Sequence, residues 1–206
     1  KLIDDIALPR EWQKDLKQYC DKHHLSNIIL LGHSMGGKTA MFFATQNPEY
    51  IQQLLVADIA PKTYASHHQQ ILNGLASLNF STLQTRTVLD QALSDYVPEV
   101  GVRQFLLKNL YWIAPGKLGL RVNIDVLKQS SDAIGEGLKP TVQSELPCLF
   151  IKGETSDYIL ETDLPSIHYH FRNAELSTIP KVGHWLHAEN PELFFKIASS
   201  WFAKQL

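Results

Sequence analysis

From Pro9 to about His24, Trp12, Leu16, Tyr19 and Cys20 recur at helical spacing among Lys, Gln and Asp. With Pro9 suited to a first turn, the pattern predicts an amphipathic helix. "NIILLG", residues 27–32, is a short apolar run rich in branched side chains and predicts a strand covered on both faces. A second helix is expected over about 37–46, stopped by Asn47-Pro48. "QLLVADIAP", residues 53–61, repeats the buried-strand pattern and carries Asp58 near its end. Helix, strand, helix, strand in this order implies right-handed crossovers and a parallel sheet.

The pattern then changes. Between about Thr63 and Thr141 no strand is expected, only helical stretches such as "HHQQILNGLASL", "TLQTRTVLDQALSDY", "VRQFLLKNLYWI" and "IDVLKQSSDAI", about four helices in all. The sheet pattern resumes in "LPCLFIKG", residues 146–153, and "AELSTI", residues 174–179, with a helical stretch near 161–171 between them. A loop carrying His184 and an amphipathic helix from about Pro191 close the chain. The expected organisation is a core at 1–62 and 142–206, interrupted by a helical cap at 63–141.

Composition narrows the functional classes. A chain of 206 residues that is 44% hydrophobic can bury a sizeable core, and a net charge of -2 offers no basic footprint for nucleic acid or a membrane surface. No apolar run approaches the ~20 residues of a membrane span, and the opening "KLIDDIALPR" is not a signal sequence. Cys20 and Cys148 lie in unlike contexts and read as two reduced thiols. The expectation is a cytoplasmic enzyme acting on a small molecule.

The chemistry concentrates in "NIILLGHSMGGKTAM", residues 27–41, which fits two motifs at once. Gly32 to Gly36 fits G-x-S-x-G, the nucleophile elbow, while Gly32 to Thr39 fits G-x-x-x-x-G-K-[ST], the phosphate-binding loop. Both demand a buried strand, a tight glycine turn and a helix. On the phosphate reading Lys38 and Thr39 would hold phosphate and magnesium, with Asp58 ending a Walker B-like strand. Three features favour the elbow. A helix precedes the strand; Gly stands on both sides of Ser34, two residues away; and "GHWLH" lies far downstream. A serine hydroxyl needs a base, and the base needs a carboxylate, in the chain order Ser, acid, His for this fold. Ser34, Asp58 and His184 meet that order.

Together, "GHSMGGKTAM", "VADIAPKTY" and "GHWLHAENPE" resemble the α/β-hydrolase superfamily and, within it, the small YbfF-type bacterial esterases and their mitochondrial relatives. The resemblance runs from about Pro9 to the C-terminus. It implies an α/β-hydrolase fold with a helical cap, and an esterase or acyl-CoA thioesterase that needs no metal or organic cofactor. Ser34 is then the nucleophile, His184 the general base and the Met35 backbone N–H one oxyanion donor. Most such hydrolases carry the acid in a G-x-x-D pattern after the strand at 147–152; here Gly153-Glu154-Thr155-Ser156 puts Ser in that place, and Asp157 comes one residue late. YbfF-type enzymes use the Asp of "DIAP", here Asp58. Only about 31 residues precede Gly32, where this fold supplies several strands and a loop completing the oxyanion hole. The expectation is therefore an N-terminally truncated hydrolase, its rate lowered by ~10²-fold or more for want of the second donor.

Other candidates keep two readings. His33 and Trp185 suit substrate contact and core packing about equally. His67-His68, and His168 with His170, lack further ligands at metal-binding spacing and read as exposed helix residues. Lys38, off the phosphate reading, is expected on the surface or in a salt bridge. The acids of "KLIDDI" are expected on a solvated face, and His187, the rival base, near a helix start. The competing functions are a nucleotide-binding phosphate-loop protein and a non-catalytic hydrolase-like binding domain.

Overall fold

The computed structural model describes residues 9–65, 69–81, 85–130 and 134–204; the acids of "KLIDDI" and the His67-His68 pair lie outside the described residues. The first elements are α1 (Pro9–Lys22), β1 (Ile28–His33), α2 (Met35–Gln46) and β2 (Ile51–Ala57). The middle stretch holds α3 (Gln69–Ser77), α4 (Arg86–Leu93), α5 (Val100–Leu106), β3 (Leu110–Ala114), β4 (Lys117–Leu120) and α6 (Ile124–Gln129). Last come β5 (Cys148–Gly153), α7 (Leu164–His170), β6 (Ala174–Ile179), α8 (Leu186–Glu189) and α9 (Pro191–Lys204). Two compact units result, one built from residues 8–64 with 133–206, the other from residues within 65–132.

In the first unit the sheet order is β1-β2-β5-β6, every neighbouring pair parallel. Side chains alternate across a strand, so each buried run serves two layers. Leu54, Val56 and Phe150 join Cys20, Phe43, Ile167 and Phe171 from the helical layer on one face. Leu55, Ala57, Leu149 and Ile151 meet Leu186, Ala198 and Trp201 on the other. Each such side chain contributes ~1.5–3 kcal/mol when fully buried. α1 is fixed to the end of α2 by a buried amide pair: Gln13 donates to Gln46 at 2.8 Å and accepts from Asn47 at 2.9 Å.

Two-sided burial, expected of the strands at 27–32 and 53–61, holds for β2, as it does for β5, and fails for β1. As the margin of the sheet, β1 leaves Ile29 41% and Leu31 45% exposed. Residues 134–141 fold with the sheet, not apart from it: Gly135 O accepts from Tyr64 N at 2.9 Å, Pro61 O accepts from Leu138 N at 2.8 Å, and Leu138 joins the core.

The second unit gathers Leu75, Leu78, Leu89, Leu93, Leu107 and Leu118 into a core of its own. α4 is capped by the Thr85 hydroxyl and α6 by Asn123, each accepting the N–H three residues on. The absence of strands expected here is corrected by β3 and β4, an antiparallel hairpin. The helix predicted through "VRQFLLKNLYWI" ends at Leu106. Tyr111, Trp112 and Ile113 favour a pleated strand, and Pro115-Gly116, with Gly116 at φ 75°, is the pairing that a tight turn uses.

Candidate active site

β1 and β2 end side by side, each in a residue that leaves the strand through the left-handed region. Ser34 sits at φ 53° and ψ -121°, and Asp58 at φ 53°. Such a conformation costs a non-glycine residue ~1–3 kcal/mol. Main-chain bonds hold both turns: Ser34 N donates to Ala57 O at 2.9 Å, and Asp58 N to Ile151 O at 2.8 Å. α2 begins directly after Ser34, two residues earlier than expected, so the Met35 N–H lies at a helix N-terminus with no intrahelical acceptor.

Glycine serves the Ser34 turn at two places. A Cβ at Gly32 would stand 2.3 Å from Gly36 O, and one at Gly37 would stand 2.6 Å from the Ile59 side chain. A Cβ at Gly36 would meet nothing within 4 Å. Of the two glycines that flank Ser34 in the motif, only Gly32 is thus required by close contact; the second close approach falls at Gly37.

His184 reaches this edge from the loop after β6. Its Nε2 lies 2.8 Å from Ser34 Oγ and its Nδ1 lies 2.8 Å from Asp58 Oδ2. A carboxylate only accepts, so Nδ1 carries the proton and Nε2 is left to accept from the serine hydroxyl. Asp58 is wholly buried, its charge met by three donors: His184, the Ser156 hydroxyl on Oδ2 and the Gly153 N–H on Oδ1 at 3.1 Å. Ser156 thus occupies the G-x-x-D place and donates to the acid on the adjoining strand. Asp157 is exposed.

Three neighbours fix the imidazole. The Tyr158 ring stacks on it, centroids 3.8 Å apart and planes 16° from parallel. Glu189 accepts from the N–H groups on either side, Gly183 at 2.9 Å and Trp185 at 3.2 Å. The third is His33, whose Nε2 donates to the His184 carbonyl at 2.8 Å. Burial above all, helped by the nearby imidazoles of His184 and His187, pulls His33 down to about 4, which keeps it neutral at physiological pH. The half-buried Trp185 ring packs 5.6 Å from that of His33 and 5.9 Å from that of His184. His187 lies in α8, its ring 4.5 Å from that of His33 and its pKa lowered by burial.

Tyr158 and Glu189 carried no signal in the sequence reading, because stacking and loop-pinning follow no fixed spacing. Ser156 did carry one, as the residue where an acid was expected.

Lys38 corrects a further expectation. It is 2% exposed, with Nζ donating to Lys62 O and lying 4.8 Å from the centre of the Tyr64 ring. Burial, with the Lys62 charge nearby, brings it down to about 7. An amine turned inward and committed to a carbonyl is not set above a helix N-terminus to meet phosphate. Lys62 itself pairs with Asp163 at 2.6 Å. His170, expected exposed, is buried with Nδ1 donating to Val142 O at 2.7 Å, while His168 is exposed. Both cysteines are buried free thiols. Among the described residues no group of three or more His, Cys, Asp or Glu could hold a metal ion, and no helix is long and apolar enough to cross a membrane.

Comparison with known proteins agrees with this architecture. Mouse sn-1-specific diacylglycerol lipase ABHD11 is 34% identical over 196 residues, covering 92% of this chain and 64% of that protein. Esterase YbfF of Escherichia coli (strain K12) is 32% identical over 180 residues, covering 87% of this chain and 68% of the esterase. The chain spans less than two thirds of the length of several curated relatives: 64% of the mouse lipase, 57% of its Danio rerio counterpart and 62% of a Haemophilus influenzae putative esterase/lipase. Among solved structures, a marine microorganism esterase superposes with a TM-score of 0.92 at 36% identity, covering 97% of this chain and 78% of that one. An E-2-(acetamidomethylene)succinate hydrolase shares the fold, with a TM-score of 0.76 at 15% identity. The profile of the alpha/beta hydrolase family matches residues 3–197, nearly the whole chain, and the protein belongs to that family.

Proposed function

We propose that this protein is a serine hydrolase that cleaves carboxylic esters or acyl thioesters through a covalent acyl-enzyme. One observation carries the reading: the unbroken run from Ser34 Oγ to His184 Nε2 and from His184 Nδ1 to the buried Asp58 carboxylate, 2.8 Å at each step. His184 Nε2 takes the Ser34 proton as Oγ bonds to the acyl carbon, and the carbonyl π electrons move onto oxygen. The Met35 N–H, at the positive end of α2, donates to that oxyanion. Asp58 stabilises the imidazolium and takes no proton. The oxyanion collapses, His184 protonates the departing alkoxide or thiolate, and the acyl-enzyme remains. Water, deprotonated by His184, then attacks the acyl carbon, and as the second oxyanion collapses His184 returns the proton to Ser34 Oγ and the acid leaves.

Support for the bond class comes from the relatives, whose names are those of a diacylglycerol lipase, an esterase/lipase and an esterase. We assign contact with the acyl group to Trp185, half-buried beside His184. His33 acts as a brace for the His184 main chain.

The test is intact mass after treatment with a fluorophosphonate. One adduct on the wild type, absent from Ser34→Ala, is expected. An adduct that persists in Ser34→Ala would move the nucleophile elsewhere, and no adduct on the wild type counts against an activated serine.

A further inference from the structure

Nothing in the exchange of protons requires an aromatic ring against His184, yet Tyr158 is packed flat on it, 3.8 Å between centroids and 16° between planes. The remaining ring contacts of His184, with His33 at 40° and 4.7 Å and with Trp185 at 69° and 5.9 Å, are tilted or edge-on and more distant. Asp58 and Ser34 constrain the imidazole in its own plane, at its two nitrogens. Neither prevents the ring from tipping out of that plane about the axis joining them. A flat neighbour does.

The Tyr158 ring is itself held from behind. The Tyr64 hydroxyl donates to the Tyr158 carbonyl and accepts from Ala60 N at 2.8 Å, and the Tyr64 ring lies 5.6 Å from that of Tyr158. Tyr158 N in turn donates to Ser156 Oγ at 3.3 Å, and that hydroxyl donates to Asp58. The segment from Ser156 to Tyr158 therefore meets the acid through one residue and the base through another. A neutral phenol face also suits what the imidazole becomes, because the ring's negative face attracts a cation, and more so out of water.

We infer that Tyr158 is a positioning residue whose ring keeps the His184 imidazole coplanar with its two partners and favours the imidazolium as it forms. The inference rests on the hydrolase reading for its kinetic consequence and on geometry alone for its structural one. It requires the aromatic face and not the hydroxyl.

The experiment compares Tyr158→Phe, which keeps the ring, with Tyr158→Leu, which keeps apolar bulk without a π face. Both are checked by thermal melting and assayed on p-nitrophenyl butyrate. The expected result is a kcat within about twofold of wild type for Tyr158→Phe and a fall of roughly ten- to a hundredfold for Tyr158→Leu. KM should change little in either, because the ring acts through His184. Proton NMR of the resting proteins supplies a readout independent of turnover. The low-field Nδ1–H resonance of the His184–Asp58 bond should persist in wild type and Tyr158→Phe, and broaden or vanish in Tyr158→Leu. A Tyr158→Leu enzyme with wild-type kcat and an intact resonance overturns the inference. So does a Tyr158→Phe enzyme as impaired as Tyr158→Leu, which would transfer the role to the hydroxyl. If no protein turns over yet the resonance follows the ring, the hydrolase reading fails and the positioning role stands.

Discussion

The turns at Ser34 and Asp58 are built alike and serve opposite ends. Both terminate parallel strands that are neighbours in the sheet, both place a non-glycine residue at φ 53°, and both donate their N–H to the next strand across. Around Ser34 the space is cleared: Gly32 and Gly37 bring strand and helix together beneath the turn, and Met35 and Gly36 are exposed. Around Asp58 the space is filled, and the carboxylate has no exposed surface and three donors. One backbone device thus leaves a hydroxyl at a helix N-terminus, as the proposed mechanism requires, and shuts a charge away from water. What differs is the neighbourhood: small residues and a helix N-terminus in one case, hydrogen-bond donors from the next strand and loop in the other.

The proposed mechanism assigns attack to the first turn alone, so the largest effect belongs there. Ser34→Ala should lower kcat by roughly 10⁵- to 10⁶-fold, the scale for loss of a serine nucleophile, in a p-nitrophenyl ester assay. His184→Ala should match it and His187→Ala should not, since the ring nitrogen bonded to Ser34 Oγ is that of His184. An inactive His187→Ala beside an active His184→Ala would exchange their roles.

Asp58→Asn comes next. An amide can offer its N–H to His184 and so favour the wrong tautomer, with a fall in kcat on the order of 10⁴. Asp157→Asn, on an exposed side chain, should leave kcat within about twofold by the same scale of surface effects. If Asp157→Asn were instead the dead variant, the second turn would lose its claim to the acid.

How much of this was legible in the sequence follows the same division. Motifs local to a strand end were readable, because a turn fixes its own spacing: Ser34 and its glycines, Asp58 in "VADIAP", and His184 in "GHWLH" all stand where a strand delivers them. Apolar runs buried on two faces were readable too, as in "QLLVA" of β2 and "CLFI" of β5, and the bounds of "AELSTI" are those of β6 residue for residue. Contacts across the fold were not. In "KGETSDYI" only the displaced acid position hints at Ser156, which serves an acid 98 residues away, and nothing announces that Tyr158 lies on the base. Lys38 looked like a surface residue because a lysine usually is one; only packing puts its amine against the Tyr64 ring. The β3–β4 hairpin was missed because "LLKNLYWI" runs helix into strand without a break, the Pro-Gly turn coming only after it.

A smaller effect sharpens the account of the buried turn. Ser156→Ala removes one of three donors to Asp58 and leaves its charge with His184 and the Gly153 N–H. A buried hydrogen bond to a charged group is worth ~1.5–3 kcal/mol, so kcat should fall about tenfold or more while the fold survives. Ser156→Thr, which restores a hydroxyl, should recover part of the loss. A Ser156→Ala enzyme with wild-type kcat would show that two donors are enough to hold the acid.

The last effect concerns stability and not turnover, and sits beneath the first turn, on the helix that follows Ser34. Lys38 is buried with its pKa brought down to about 7, chiefly by burial, against an unfolded lysine near ~10.4. Below about 7 both states hold the proton, and the folded protein bears the full cost of a buried ammonium. Between about 7 and ~10.4 the unfolded chain binds a proton that the folded one does not, so this residue makes stability rise with pH across that window. Lys38→Met keeps an unbranched apolar stem and removes the titration. Its melting temperature relative to wild type should therefore be highest at pH 6 to 7 and decline steadily toward pH 10, whatever constant offset comes from losing the bond to Lys62 O. A difference that stays flat over this range would mean that water reaches the amine. The helix behind the nucleophile would then be less tightly closed than the burial of Lys38 implies, and the contrast between an open front and a sealed back at Ser34 would weaken.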